Sequence, residues 1–137
     1  MKKWFLGILV AVCGAALLAW WLHDEPDGVP LVCEQVTPSV KYAKPCTSNE
    51  LQRVKSAARW VAENISPSLP VEMMAGVSSF IEDTGRRKRT VFYQRMSVSD
   101  IDGACEAMLK HVHRRGEIDP ERVKRREYER AMCLTKG

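Results

Sequence analysis

Residues 122–137 read RVKRREYERAMCLTKG, with six Arg or Lys side chains, two Glu and one Cys. Such a stretch is either a solvated basic tail or an amphipathic helix that closes a packed domain. Its surroundings favour the helix. Asp119-Pro120 supplies a cap followed by Pro at the first helical position, where the missing N–H is not needed. Val123, Tyr128, Ala131, Met132 and Leu134 then give the helix something to bury. The charges of Arg126, Glu127, Glu129 and Arg130 are assigned to the wet side. On this reading Met132→Ala costs roughly 2–5 kcal/mol, whereas Arg126→Ala stays within about 0.5 kcal/mol.

Upstream the same periodicity recurs. From Asp100, the face Ile101, Ala104, Cys105, Met108, Leu109 and Val112 is that of an amphipathic helix, capped by Asp100 or Ser99. Gly116 ends the turn after it. TVFYQRM, 90–96, fits a helix or a strand equally. The run RRKR, 86–89, precedes it. Met73, Met74, Val77, Phe80 and Ile81 lie on one face of a helix that stops near Gly85. Pro67 and Pro70 separate that helix from another whose face is Leu51, Val54, Ala58, Val61 and Ile65. Thr47 and Glu50 form its capping box. Five helical segments and no internal repeat predict a mainly helical, all-α fold over 47–137. The segment 24–46, with Pro26, Gly28, Pro30, Pro38 and Pro45, reads as a linker and irregular lead-in.

The N-terminal segment, 1–23, is different. Trp4 to Leu22 is nineteen residues without a charge, long enough to span a bilayer as a helix. Lys2 and Lys3 precede it and Asp24, Glu25 and Asp27 follow. The asymmetry predicts a single-pass inner-membrane anchor with the C-terminal domain in the periplasm. Trp20, Trp21 and Leu22 leave no small-residue cleavage site, so a retained anchor is expected. Its Gly and Ala content makes it a weak one.

Cys33, Cys46, Cys105 and Cys133 lie in the exported part, where disulfides persist. Four cysteines allow three pairings, and sequence cannot choose among them. A local Cys33–Cys46 clip with a Cys105–Cys133 staple is favoured. Cys13 is the odd cysteine, within the anchor. The net charge of +4 includes Lys2 and Lys3, so global charge does not call for a polyanion. The periplasmic placement excludes nucleic acid as the partner of RRKR. Cys105, His111 and His113 lack metal-ligand spacing, and neither a metal nor a cofactor is expected.

RREYERAMCLTKG resembles the last helix of phage lysozymes, glycoside hydrolase family 24, through Arg125, Arg126, Glu129, Arg130, Met132, Cys133 and Leu134. MAGVSSFIEDTG, 74–85, resembles that family's central buried helix, and TVFYQRMSVSDIDGACEAMLKHV its next two. VTPSV, 36–40, resembles the stretch after the catalytic hairpin. The resemblance covers about 36–137 and implies a lysozyme-like helical domain. The anchor, Gly/Ala-rich and carrying Cys13, resembles that of signal-arrest-release endolysins. There, release of the anchor can expose its Cys to a disulfide near the active site, which makes Cys13 a redox-switch candidate.

One part of the family pattern is not recognisable. Its lysozymes place a Glu general acid, an Asp or Cys nine positions on, and a Thr six further, on a Gly-rich hairpin. Before Val36 this sequence offers only Asp24, Glu25, Asp27 and Glu34. Counting from Glu34 reaches Ala43 and Asn49, so Glu34 is a weak catalytic candidate only. The resemblance therefore implies a membrane-tethered, endolysin-like protein of host cell lysis. Its expected role is to bind peptidoglycan or to regulate another lysis protein. An active muramidase and an unrelated exported helical protein, such as an immunity or secretion-system component, are the alternatives.

Overall fold

The computed structural model describes residues 28–135. The expected anchor Trp4–Leu22, with Cys13, and the acidic residues Asp24, Glu25 and Asp27 lie outside the described residues. Among the described residues no helix is long and apolar enough to cross a membrane.

Among the described residues five helices carry the fold: α1 Ser48–Asn64, α2 Val71–Thr84, α3 Val91–Ser97, α4 Ile101–Ala107 and α5 Pro120–Cys133. Four of the five starts have a side-chain cap. Thr47 and Glu50 close the capping box of α1 from both sides. Thr90 caps α3 by accepting from the Tyr93 amide, and Asp100 caps α4 by accepting from Gly103. Asp119 accepts from the Glu121 amide ahead of α5, with Pro120 at its first position. These caps satisfy amides that the helices themselves leave unpaired.

The α2 helix is the centre. Every residue from Ala75 to Ile81 is buried, and α1 and α5 pack on either side of it. Val61, Val77, Phe80, Phe92, Ala104 and Met108 form the main apolar core. Phe80 and Phe92 meet with ring centroids 4.8 Å apart and tilted planes. The ambiguous stretch 90–96 is helical because Phe92 and Met96, one turn apart, both reach this core.

The helix from Asp100 is shorter than its periodicity predicts. It ends at Ala107, tightens into a 3-10 turn at Met108–Lys110, and gives way to a hairpin. The cause is visible at His111. Its carbonyl accepts from Arg126 Nε at 2.9 Å instead of from a helical amide. The hairpin pairs His113 with Ile118 and Arg114 with Glu117. Its two turn residues, Arg115 and Gly116, both have positive φ, as a type I′ turn requires.

The lead-in is irregular but packed. Leu31, Val32, Cys33 and Val40 are buried. Val32 and Val40 join Ala75 and Met132, and Leu31 and Cys33 join Val54. Cys33 is disulfide-bonded to Cys46, and Cys105 to Cys133. The second bond ties α4 to α5.

The α2–α5 contact depends on Gly76. A Cβ there would lie 2.8 Å from Met132 Cβ and 2.9 Å from the Glu129 carbonyl oxygen. Helix propensity alone would make Gly76→Ala stabilising by about 1 kcal/mol. The crowding reverses the sign, because one contact is backbone and cannot swing aside. We expect a net loss of roughly 1–3 kcal/mol in urea unfolding. A gain in stability would mean that the two helices do not approach as described.

Candidate functional site

The charges that sequence reasoning sent to solvent build the most distinctive site. Arg126 and Glu129 are both completely buried. Arg126 donates to Glu129 Oε2, to Asp83 Oδ2 and to the His111 carbonyl. Its guanidinium also lies 5.2 Å from the centroid of the Phe80 ring. Arg125 donates to Glu129 Oε1 at 2.8 Å and to Glu82 Oε2 at 3.1 Å. Ser79 Oγ donates to Glu129 Oε1 at 2.7 Å and accepts from the Leu31 amide at 3.0 Å. The cluster thus joins α2, α5, the His111 turn and the lead-in.

This corrects the expected faces of α5. The buried stripe is Arg126, Glu129, Met132 and Cys133, whereas Ala131 is exposed and Tyr128 sits at the edge, 38% exposed, against Tyr42. Buried charges are tolerated only when paired and hydrogen-bonded, and two of the acids that pair the arginines, Glu82 and Asp83, lie about forty residues upstream on α2. The signal available in sequence was the pair Glu82-Asp83 at the end of the helix with the Met73, Val77, Phe80 and Ile81 face, together with Arg–Glu spacings of three and four on α5.

The electrostatics follow from the geometry. Burial pushes the Asp83 carboxyl up, but Arg125, Arg126 and Arg122 outweigh it and hold it below its ordinary value. Burial also opposes the charged form of Arg125, and Glu129, Asp83 and Glu82 more than restore it. Near the start of α1, Lys44 donates to Glu50 Oε2 at 2.9 Å. That bond, helped by Thr47, holds the Glu50 carboxyl down at about 2.

Two recesses adjoin this cluster. A small one of about 180 Å³ is lined by Val29, Pro30 and Leu31 and by Lys44, Glu50, Arg53, Glu82, Asp83 and Arg125. A wider groove of about 970 Å³ runs between α1 and the end of α2. Arg53 and Glu82, paired at 3.2 Å, are common to both.

The residues singled out in the sequence are not gathered at either recess. Glu34 is exposed, and its amide donates to the Lys44 carbonyl at 2.9 Å. His111 packs edge-on against Phe80 at 5.2 Å, burial together with Arg126 and Arg87 lowers its pKa, and Cys105 is committed to its disulfide. Of the RRKR run, Arg86 donates to Ser56 Oγ and Lys88 lies over the Tyr93 ring.

The buried cluster sets an expectation opposite to that of a wet Arg126. Arg126→Ala leaves Glu129 and Asp83 short of their cation inside the protein, and should cost about 3–5 kcal/mol. That is at least as much as Met132→Ala, roughly 2–5 kcal/mol. Urea unfolding of the two variants side by side checks it. A loss within about 0.5 kcal/mol for Arg126→Ala would show that the cluster does not hold the helices.

No family model matches the chain. Among curated proteins it is 33% identical over 102 residues to a SAR-endolysin of Enterobacteria phage H19B, covering 71% of this chain and 50% of that protein. It is 30% identical over 99 residues to a protein of Escherichia coli (strain K12) named "Probable prophage lysozyme", covering 63% of this chain and 55% of that one. Among solved structures, the secreted inactive form of P1 phage endolysin Lyz superposes with a TM-score of 0.56 at 16% identity, covering 80% of this chain and 84% of that one. The active form of the same endolysin gives a TM-score of 0.54 at 17% identity, covering 78% and 75%. The fold is therefore that of a phage endolysin, and the chain spans about half the length of the curated relatives it matches. By sequence and by fold, this chain resembles the phage-lysozyme-type SAR-endolysins.

Proposed function

We propose that this is a lysis-associated, endolysin-like protein that acts by binding a wall polymer or another lysis protein, and not by cutting glycan. In this reading Trp4–Leu22 tethers it to the inner membrane and the helical domain faces the periplasm.

The observation that carries the reading is the state of the carboxylates at the recesses. Glycoside hydrolysis uses two placed carboxyl groups, one of which keeps its proton near neutral pH because its environment raises its pKa. At Glu50 and Asp83 the environments work the other way. Glu50 is held at about 2 by Lys44. Asp83 is held below its ordinary value by three arginines. Glu82 bridges Arg53 and Arg125, and Glu129 is enclosed by Arg125, Arg126 and Ser79. These groups are spent on holding the helices together. Glu34, the remaining candidate, stands exposed on the lead-in.

Two experiments test this. The purified full chain should leave cell walls uncleared in a zymogram. Turnover that disappears on Glu34→Gln would overturn the binding reading. For topology, a periplasmic reporter fused after Gly137 should be active and a cytoplasmic reporter silent, as the charge asymmetry around the anchor requires. The reverse pattern would remove the tethered arrangement.

A further inference from the structure

The two disulfides divide the chain unevenly. Cys33–Cys46 closes a loop in the lead-in, and Cys105–Cys133 closes one at the C-terminal end. Neither spans the stretch between Cys46 and Cys105. Every basic residue in that stretch is on a helix except one run. Arg53, Lys55 and Arg59 belong to α1 and Arg95 to α3, whereas Arg86, Arg87, Lys88 and Arg89 form the connection between α2 and α3. All four are exposed. Gly85, at φ 92°, ends α2 and turns the chain outward. Among the described residues no amide of 86–89 donates a hydrogen bond. The connection is held through Thr90, whose Oγ1 donates to the Arg87 carbonyl at 3.0 Å, and through Arg86 on Ser56 Oγ.

We propose that 86–89 is a processing site, where one cut by an endoprotease with an acidic pocket for Arg or Lys divides the domain into two chains that stay associated. Water adds across one peptide bond, leaving a carboxylate on one chain and an ammonium on the other. Nicking concentrates at exposed loops with few backbone hydrogen bonds, and the backbone here meets that condition. Bonds beside Lys55 or Arg59 must first unwind from α1. The paired Arg114-Arg115 sits in a tight turn, with Arg115 at φ 54°. Lys44 has its amide bonded to Val32 and its carbonyl to Glu34. Cuts at Arg114, Arg115, Lys41 or Lys44 would also leave the pieces joined, since each lies inside a disulfide loop. A cut at 86–89 leaves no such link. The lead-in, α1 and α2 would then hold α3, α4 and α5 only by contacts already described: Gly76 on α5, Glu82 and Asp83 with Arg125 and Arg126, and Phe80 on Phe92. An intact chain keeps its parts together at any dilution, whereas a nicked one depends on concentration. Cleavage therefore decides how long the domain stays assembled, whether it binds the wall or cuts it.

The test is limited trypsin digestion of the full chain without reductant, read by intact mass. The first internal cut should fall at 86–89. The products should separate on a non-reducing denaturing gel but elute together under native conditions. The melting temperature of the nicked protein should fall on dilution, and that of the intact protein should not. Arg86→Gln/Arg87→Gln/Lys88→Gln/Arg89→Gln should lengthen the half-life of the intact chain by about tenfold or more, because cleavage must then wait for a rarer opening. Arg114→Gln/Arg115→Gln should leave it unaltered. The replaced side chains are exposed, so both variants should melt like the parent. The masses of the parent's first fragments decide the site whatever the fold of either variant. A first internal cut elsewhere, or an unchanged half-life in the variant with four substitutions, would overturn the proposal. So would nicked chains that part at high concentration or melt independently of dilution.

Discussion

The guanidinium of Arg126 is the constraint on which the rest of the arrangement turns. Once it is inside, with no exposed surface, it must be surrounded by acceptors, and those acceptors come from separate parts of the chain. Glu129 is on its own helix, Asp83 ends α2, and the His111 carbonyl belongs to the turn after α4. Meeting all three at once fixes how α5 lies on α2 and where α4 stops. Gly76 provides the close approach that brings the acids within reach. Ser79 extends the network to the Leu31 amide, so the lead-in is held by the same cluster.

Much of the fold was legible because its signals are local. The Thr47–Glu50 box, the Asp100 cap and Asp119-Pro120 each specify a helix start within a few residues. The apolar faces of α1 and α2 follow from spacing alone. What was not legible depends on partners distant in sequence. Arg126 and Glu129 look like solvated charges until Asp83, forty-odd residues away, is placed beside them. The end of α4 was misjudged for the same reason, since its periodicity continues to Val112 while the His111 carbonyl is taken by α5. The hairpin at 113–118 is only two residues per strand, too short for alternation to register.

The candidate site divides along the same line. Counting positions gave Glu34 no catalytic partners, and the structure leaves it exposed and apart from the recesses. The chemistry resides in side chains whose sequence context marks them as ordinary surface. Glu82, Asp83 and Glu129 neutralise arginines. Lys55 and Arg59, which are in no salt bridge among the described residues, line the wider groove. The domain thus keeps an endolysin's helical frame while its charge is divided between internal cohesion and an open basic surface.

The two disulfides make the domain's integrity a property of its compartment. The Cys105–Cys133 bond closes a loop of 28 residues that contains the hairpin and most of α5, and the Cys33–Cys46 bond closes one of 13. In the chain-entropy account such closures each disfavour the unfolded ensemble by about 3–3.5 kcal/mol. A small domain has little stability to spare beyond that. Made in a reducing cytosol and held there, the same polypeptide would forgo both cross-links and spend far more time open to proteolysis. An oxidising compartment therefore completes the protein's folding.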